Sequence, residues 1–112
     1  MIFTEFKGAL SEQYVLQQLK STDKHMINYW SADRSTAEVD FVIQNKGLAV
    51  PVEVKAEENL QSKSLKVYRE KFKPEIVLRI SMSDFRQQDW LTNIPLYAVN
   101  LVKQIDDLIQ QQ

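Results

Sequence analysis

Several residue types that build common functional sites are missing or rare in this chain. Its 112 residues include no cysteine, one histidine and two glycines. The lack of cysteine excludes disulfides, thiolate metal sites and cysteine nucleophiles, and a single histidine argues against a zinc site. The two glycines, Gly8 and Gly47, are too far apart to form either of the glycine-rich loops that bind nucleotide phosphates.

Charge and hydropathy narrow the class of protein further. Fourteen basic residues against fifteen acidic ones give a formal net charge of −1, so the chain lacks the basic excess of a strong standalone nucleic-acid binder. It has neither a bilayer-length apolar run nor an N-terminal secretion signal, and we expect a cytoplasmic protein with no membrane partner. Its length and its 44% hydrophobic residues predict a single domain over residues 1–112.

The hydrophobic pattern predicts an α/β (α+β) domain with the element order α-β-β-β-α-β-β-α. Helical spacing of apolar residues alternates along the chain with short runs of β-branched and aromatic residues. The predicted helices cover residues 4–20, 62–72 and 101–112, and the predicted strands cover residues 26–30, 37–44, 48–55, 75–81 and 94–99.

The second and third predicted strands form a hairpin that carries the most informative residues. If Lys46-Gly47 is a two-residue turn, Asp40 faces Glu53 across the hairpin, and Glu53 and Lys55 share that sheet face. Two opposed carboxylates repel each other unless a cation lies between them, and oxygen ligands suit Mg²⁺ or Mn²⁺. Pro51 lacks a ladder N–H, which predicts an edge strand or a locally irregular one.

The first helix supplies a further candidate acid. Glu12 precedes Val15, Leu16 and Leu19 at helical spacings, which places it at the head of an inward-facing apolar stripe. A carboxylate at such a position is costly unless it is paired or liganded. Glu12 is therefore expected to reach the mouth of the same site if the helix packs across the hairpin.

These residues resemble a known nuclease signature. Asp40, twelve intervening positions and then Glu53-Val54-Lys55 resemble the PD-(D/E)xK motif of restriction-endonuclease-like nucleases, with Val39 in place of the proline. The resemblance implies a mixed β-sheet flanked by helices and hydrolysis of phosphodiesters in DNA, or less favourably in RNA. It further implies Mg²⁺ or Mn²⁺ held by Asp40, Glu53 and the Val54 carbonyl, with Lys55 as the catalytic lysine and Glu12 as an accessory acid.

A narrower resemblance covers nearly the whole chain. Residues 8–12, 37–41, 51–55 and 93–98 resemble the uncharacterised C-terminal domain of a large group of prokaryotic AAA+ ATPases. It implies either a domain excised from a longer ATPase chain, whose ATPase portion would be its partner in cis, or a truncated relative of such a chain. The oligomeric state stays open.

Each candidate residue also has a structural interpretation. Asp40, Glu53 and Lys55 could form salt bridges on a solvated sheet face, and Glu12 could be a first-turn glutamate that complements the helix dipole. Glu38 fits an exposed strand glutamate better than an outer-shell acid. The remaining candidates favour structural roles over phosphate contacts or base stacking: a charged helix face for Lys63, Lys66, Arg69 and Lys73, a surface position for His25, and core or interface anchors for Trp30 and Trp90.

Three functional hypotheses follow. The first is a metal-dependent phosphodiesterase that uses Asp40, Glu53 and Lys55. The second is a non-catalytic, nuclease-fold interaction or regulatory domain of an AAA+ ATPase. The third is a structural or dimerisation module, which would have an exposed apolar patch around Trp90, Leu91 or the last helix.

Overall fold

The computed structural model describes residues 2–20, 26–32, 38–45, 47–55, 62–96 and 101–111. None of the helices in these ranges has the length and apolar character needed to cross a bilayer. The elements are α1 (Ile2–Lys20), β1 (Met26–Ser31), β2 (Glu38–Asn45), β3 (Leu48–Lys55), α2 (Lys63–Phe72), β4 (Leu78–Ser81), β5 (Arg86–Gln88), β6 (Leu91–Pro95) and α3 (Leu101–Gln110).

The strands form one mixed sheet in the order β1-β2-β3-β4-β6-β5. The pairs β1–β2, β2–β3 and β5–β6 are antiparallel, whereas β3, β4 and β6 run parallel to one another. This confirms the predicted α/β architecture with a mixed sheet and flanking helices.

Three strand predictions need correction. Strand β5 was not predicted, because its residues 86–88 are all polar and exposed and carry no hydrophobic signal. Strand β4 begins at Leu78 rather than at residue 75, and β6 covers Leu91–Pro95 rather than residues 94–99. Residues 97–99 of that last prediction lie outside the described residues.

Two hydrophobic clusters fix the helices on opposite faces of the sheet. Val15 and Leu19 of α1 and Ile105 of α3 pack with Val52 and Val54 of β3, and we call this cluster the α1/α3 core. On the other face, Leu65 and Tyr68 of α2 pack with residues of β2 and β6 and with Val77, which precedes β4, and we call this cluster the α2 core. Burial of both faces explains why β3 begins with a long apolar stretch.

Pro51 lies in an interior strand, so the prediction of an edge strand is wrong. Strand β3 is paired with β2 on one side and with β4 on the other. The Val54 N–H points to the β2 side, and alternation along the strand directs the Pro51 nitrogen to the β4 side. Pairing with β4 begins only at Val52, so no ladder hydrogen bond is lost at Pro51.

A β-bulge interrupts β2 at Asp40. Between two consecutive paired positions, β1 advances by two residues and β2 by three. The extra residue reverses the alternation of side chains, so that Phe41 packs in the α1/α3 core while Val39 packs in the α2 core. Bulges often redirect a side chain next to a functional site. Here the bulge sets the direction of the Asp40 carboxylate.

Candidate functional site

Asp40 lies where β2 and β3 stop pairing. The predicted register is confirmed from Asn45↔Leu48 to Phe41↔Val52, but the ladder does not continue to Asp40 and Glu53. Instead, Asp40 Oδ2 accepts a hydrogen bond from the Val54 N–H at 2.7 Å. The prediction of a directly opposed Asp40–Glu53 pair is therefore wrong in detail, because the bulge turns Asp40 toward the β3 backbone.

Glu53 and Lys55 share one face of β3, as the period-2 pattern predicts. Glu53 Oε1 lies 3.4 Å from Lys55 Nζ. Glu53 is 9% exposed, and its Oε2 is buried and has no hydrogen-bond partner among the described residues. Burial raises the pKa of Glu53, and the nearby negative charge of Asp40 raises it further. The positive charge of Lys55 and hydrogen bonds with Lys55 and Ser62 act in the opposite direction. Such an uncompensated buried oxygen is costly in an apolar setting.

Glu12 reaches this site from α1. Its pKa is raised from 4.5 to about 7, first by partial burial and then by the negative charge of Asp40, a hydrogen bond with Asp40 and the negative charge of Glu38. Burial also raises the pKa of Asp40. Hydrogen bonds from the Val54 N–H and Glu12 and the positive charge of Lys55 lower it in part. Glu12 lies well inside α1, so the alternative of a first-turn residue that complements the helix dipole is wrong.

An open cleft borders the acids on the side of α1. It has a volume of about 390 Å³, and Glu12, Glu38 and Asp40 line it together with the aromatic residues Tyr29 and Trp30. Three acidic side chains give this cleft a negative character, so it favours a cation over an anion.

A buried polar network on the α2 side of the sheet was not predicted. Arg79 is 3% exposed, and it donates from Nε to Asn93 Oδ1 at 2.9 Å and from Nη1 to Ser62 Oγ at 3.0 Å. Ser81 Oγ donates to the same Asn93 oxygen at 2.7 Å. Burial lowers the pKa of Arg79, and the negative charge of Glu53 opposes this shift. An arginine and an asparagine inside otherwise apolar strands were the available sequence signal for this network.

A family model described as a domain of unknown function (DUF4143) matches residues 7–99. The chain belongs to this family. The matched range contains Glu12, Asp40, Glu53, Lys55 and Arg79, so the whole candidate site lies within the DUF4143 domain. No curated protein matches the sequence significantly.

The donor atoms of the DUF4143 domain fit a hard divalent cation held by few protein ligands. Among the described residues, no three acidic or histidine side chains are arranged as a ready metal site. The available donors are the carboxylates of Asp40 and Glu53 and the Val54 carbonyl, which points to the same strand edge as its N–H. Mg²⁺ commonly binds one or two carboxylates and keeps several waters. Glu53 Oε2, which has no hydrogen-bond partner in the described part of the chain, is the atom that a cation would satisfy.

The structure also locates most of the remaining residues that the sequence singled out. Glu38 is exposed, and its N–H donates to Ser64 Oγ at 3.2 Å. Trp30 packs edge-on against Tyr68 with ring centroids 5.3 Å apart, which agrees with a core anchor. Leu91 is buried, so an exposed apolar patch of the kind that a dimerisation module would have does not include this residue. His25 lies outside the described residues.

Because of the acidic cluster, we expect the stability of the metal-free DUF4143 domain to fall as the pH rises. Folding raises the pKa of Glu12 from 4.5 to about 7, and it raises those of Asp40 and Glu53 as well. Between the unfolded and folded values, the native state keeps a proton that the unfolded chain has released, so raising the pH removes stability. In EDTA, the urea midpoint should fall from about pH 5 to about pH 8.

Glu12→Gln is the matched variant for this measurement, because glutamine can still donate to Asp40 but does not titrate. The fall of the urea midpoint should be smaller in Glu12→Gln than in the wild type. An equal pH dependence in both proteins would contradict the assignment to Glu12.

Proposed function

We propose that this DUF4143 domain is a metal-dependent phosphodiesterase that hydrolyses DNA in the cytoplasm, with RNA as the less favoured substrate. The observation that carries the proposal is the Glu53 carboxylate. Its buried Oε2 lacks a hydrogen-bond partner among the described residues, its Oε1 lies 3.4 Å from Lys55 Nζ, and the charge of Asp40 acts on it. The resemblance of these residues to the PD-(D/E)xK signature supports the same reading.

The residues of the site have distinct roles in this proposal. Asp40, Glu53 and the Val54 carbonyl would hold Mg²⁺ or Mn²⁺. A bound Mg²⁺ supplies charge stabilisation to the phosphodiester and lowers the pKa of a water. Lys55, held by Glu53, places a positive charge where the attacking water or the phosphate oxygens lie. Glu12 holds a proton beside Asp40 and can exchange it with the site.

The reaction would be an in-line hydrolysis. The water oxygen gives up a proton to the solvent as it forms a bond to phosphorus, the bond from phosphorus to the leaving oxygen breaks, and the leaving oxygen takes up a proton from the solvent. Lys55 disperses the negative charge that grows on the phosphate oxygens during this step. Removing Lys55 should therefore affect the chemical step more than the fold.

A second function is favoured by one specific observation. Glu12 is hydrogen-bonded to Asp40, and no three acidic or histidine side chains of the described residues are arranged as a ready metal site. A carboxyl pair that shares a proton needs no metal at a pH below the raised pKa of Glu12, which is about 7. This arrangement suits a non-catalytic nuclease-fold module that serves as an interaction or regulatory domain of an AAA+ ATPase.

Metal binding separates the two functions. If Asp40 and Glu53 hold a cation, Mg²⁺ or Mn²⁺ at about a hundred times its dissociation constant should raise the free energy of unfolding by about 2.7 kcal/mol. Asp40→Asn and Glu53→Gln should each remove most of this gain, as measured by thermal unfolding with and without metal. Glu70→Gln, which removes an exposed acid on α2, should leave it unchanged.

Three results contradict the metal site. The first is that neither cation stabilises the wild type. The second is that the metal stabilises all four proteins equally, and the third is that Glu70→Gln loses this stabilisation as fully as Asp40→Asn and Glu53→Gln do. Each of them would favour the non-catalytic module.

A further inference from the structure

A second pocket lies on the α2 side of the sheet, beside the buried network of Arg79. It has a volume of about 390 Å³, and its lining includes Ser62, Lys63, Lys66, Arg79 and Trp90. We call it the basic pocket. No acidic residue is among the described residues that line it. The cleft beside Glu12 and Asp40 has the opposite character, with three acids in its lining.

Positive charge converges on the basic pocket from two elements. Lys63 and Lys66 are exposed on the first turns of α2, and Arg79 is held 3% exposed in β4 by hydrogen bonds to Ser62 and Asn93. A guanidinium whose orientation is fixed in this way is pre-organised for a phosphate or carboxylate. Two mobile ammonium groups beside it can adapt to the same anion.

The N-terminus of α2 adds to this field. Ser62 is the N-cap of this ten-residue helix, yet its side chain makes no capping hydrogen bond, and the first turn contains no acidic residue. The Ser62 hydroxyl instead accepts a hydrogen bond from Arg79 at 3.0 Å. The first N–H groups of a helix and its positive dipole end together favour an anion. The start of α2 thus has neither a capping side chain nor an acidic residue to offset its positive dipole end, and it lies beside the basic pocket.

The basic pocket adjoins the candidate catalytic residues. Glu53 of β3 and Arg79 of β4 are paired neighbours in the sheet, and Arg79 donates a hydrogen bond to Ser62 at the start of α2. Ser62 and Arg79 therefore lie between Glu53 and the basic pocket. A DNA strand that presents one phosphate to Glu53 and Lys55 would have a neighbouring phosphate on this side.

We propose that the basic pocket binds one phosphate group of a DNA strand, next to the phosphodiester that is cleaved. Lys63, Lys66 and Arg79 contact the phosphate oxygens, and the start of α2 faces them. The identity of the strand rests on the proposed function, whereas the preference of the basic pocket for an anion does not. The charged face of α2 is thus divided, with only its N-terminal part in the substrate site.

The test is binding of a fluorescent single-stranded oligothymidylate, measured by anisotropy in EDTA over a series of salt concentrations. Lys63→Ala/Lys66→Ala should weaken binding about tenfold, because two charge-assisted contacts are lost. The slope of log K against log salt should become shallower by about 0.7, the value for one phosphate contact to a single strand. Lys20→Ala/Lys103→Ala removes the same charge from exposed positions on α1 and α3 and should bind as the wild type does.

The outcomes are distinguishable from those of the proposed function. Unchanged binding by Lys63→Ala/Lys66→Ala, an equal loss in the control pair, or no binding by the wild type overturns the basic pocket. Metal-dependent cleavage together with unchanged binding in the pocket variant overturns the basic pocket and leaves the nuclease standing. Loss of binding confined to the pocket variant, without any cleavage by the wild type even when an ATPase portion is restored in cis, supports the basic pocket and overturns the nuclease.

Discussion

Replacing Lys55 with alanine should reduce metal-dependent DNA cleavage by about 100-fold or more, because a positioned charge that stabilises the transition state is lost. Lys55 is only partly buried and forms one ion pair, with Glu53, so the variant should still fold. Asp40→Ala should abolish cleavage by removing a metal ligand. The measurement is cleavage of linear, nicked and single-stranded DNA with Mg²⁺ or Mn²⁺.

Lys71→Ala is the matched control for Lys55→Ala, since it removes an exposed lysine of α2 away from the site. It should cleave DNA at the wild-type rate. Full activity in Lys55→Ala would contradict the assigned role. If the wild type is inert, restoring an ATPase portion in cis distinguishes the two functions: continued inactivity, with no metal bound in titration, would establish the non-catalytic module as the better account.

Arg79→Ala should lower the free energy of unfolding by about 3–5 kcal/mol, the usual cost of breaking a buried ionic network from one side. The substitution removes the hydrogen bonds that Arg79 donates to Asn93 and Ser62, and Asn93 Oδ1 keeps the hydrogen bond from Ser81 Oγ. It also removes the positive charge that acts on the buried carboxylate of Glu53. Urea unfolding at neutral pH is the direct measurement.

Arg86→Ala is the control for Arg79→Ala, because Arg86 is exposed on the neighbouring part of the sheet and carries the same charge. Its loss should change stability by no more than about 0.5 kcal/mol. The double variant Arg79→Ala/Glu53→Gln should be less unstable than the sum of its two single changes, because the carboxylate is no longer left charged. Strict additivity would show that Arg79 does not stabilise Glu53.

The regular elements of the fold were predictable because their signals are local. Strand β3 has the predicted bounds, Leu48–Lys55, and its register with β2 follows from a two-residue turn and the alternation of apolar residues. The helices are confirmed within a few residues for the same reason. Strand β5 was missed, because a short exposed strand at the sheet edge has no apolar side of its own.

The candidate site was predictable only in part. The shared face of Glu53 and Lys55 follows from the period of a strand, and the contact of Glu12 with Asp40 follows from the direction of the α1 stripe. The turn of Asp40 toward the Val54 N–H does not follow from either pattern. A bulge is set by pairing with β1, whose residues are distant in sequence from the hairpin that they distort.

By itself, the sequence determined the residue types, the helix and strand periods and the spacing of Asp40, Glu53 and Lys55, because these depend on neighbours along the chain. The tertiary structure alone decided that Arg79 and Asn93 meet, since they lie on parallel strands β4 and β6 whose pairing has no local signal. It also decided that Glu53 Oε2 is buried, because burial depends on what packs above the sheet. Local patterns state which groups are available, and only long-range packing states which of them lose contact with water.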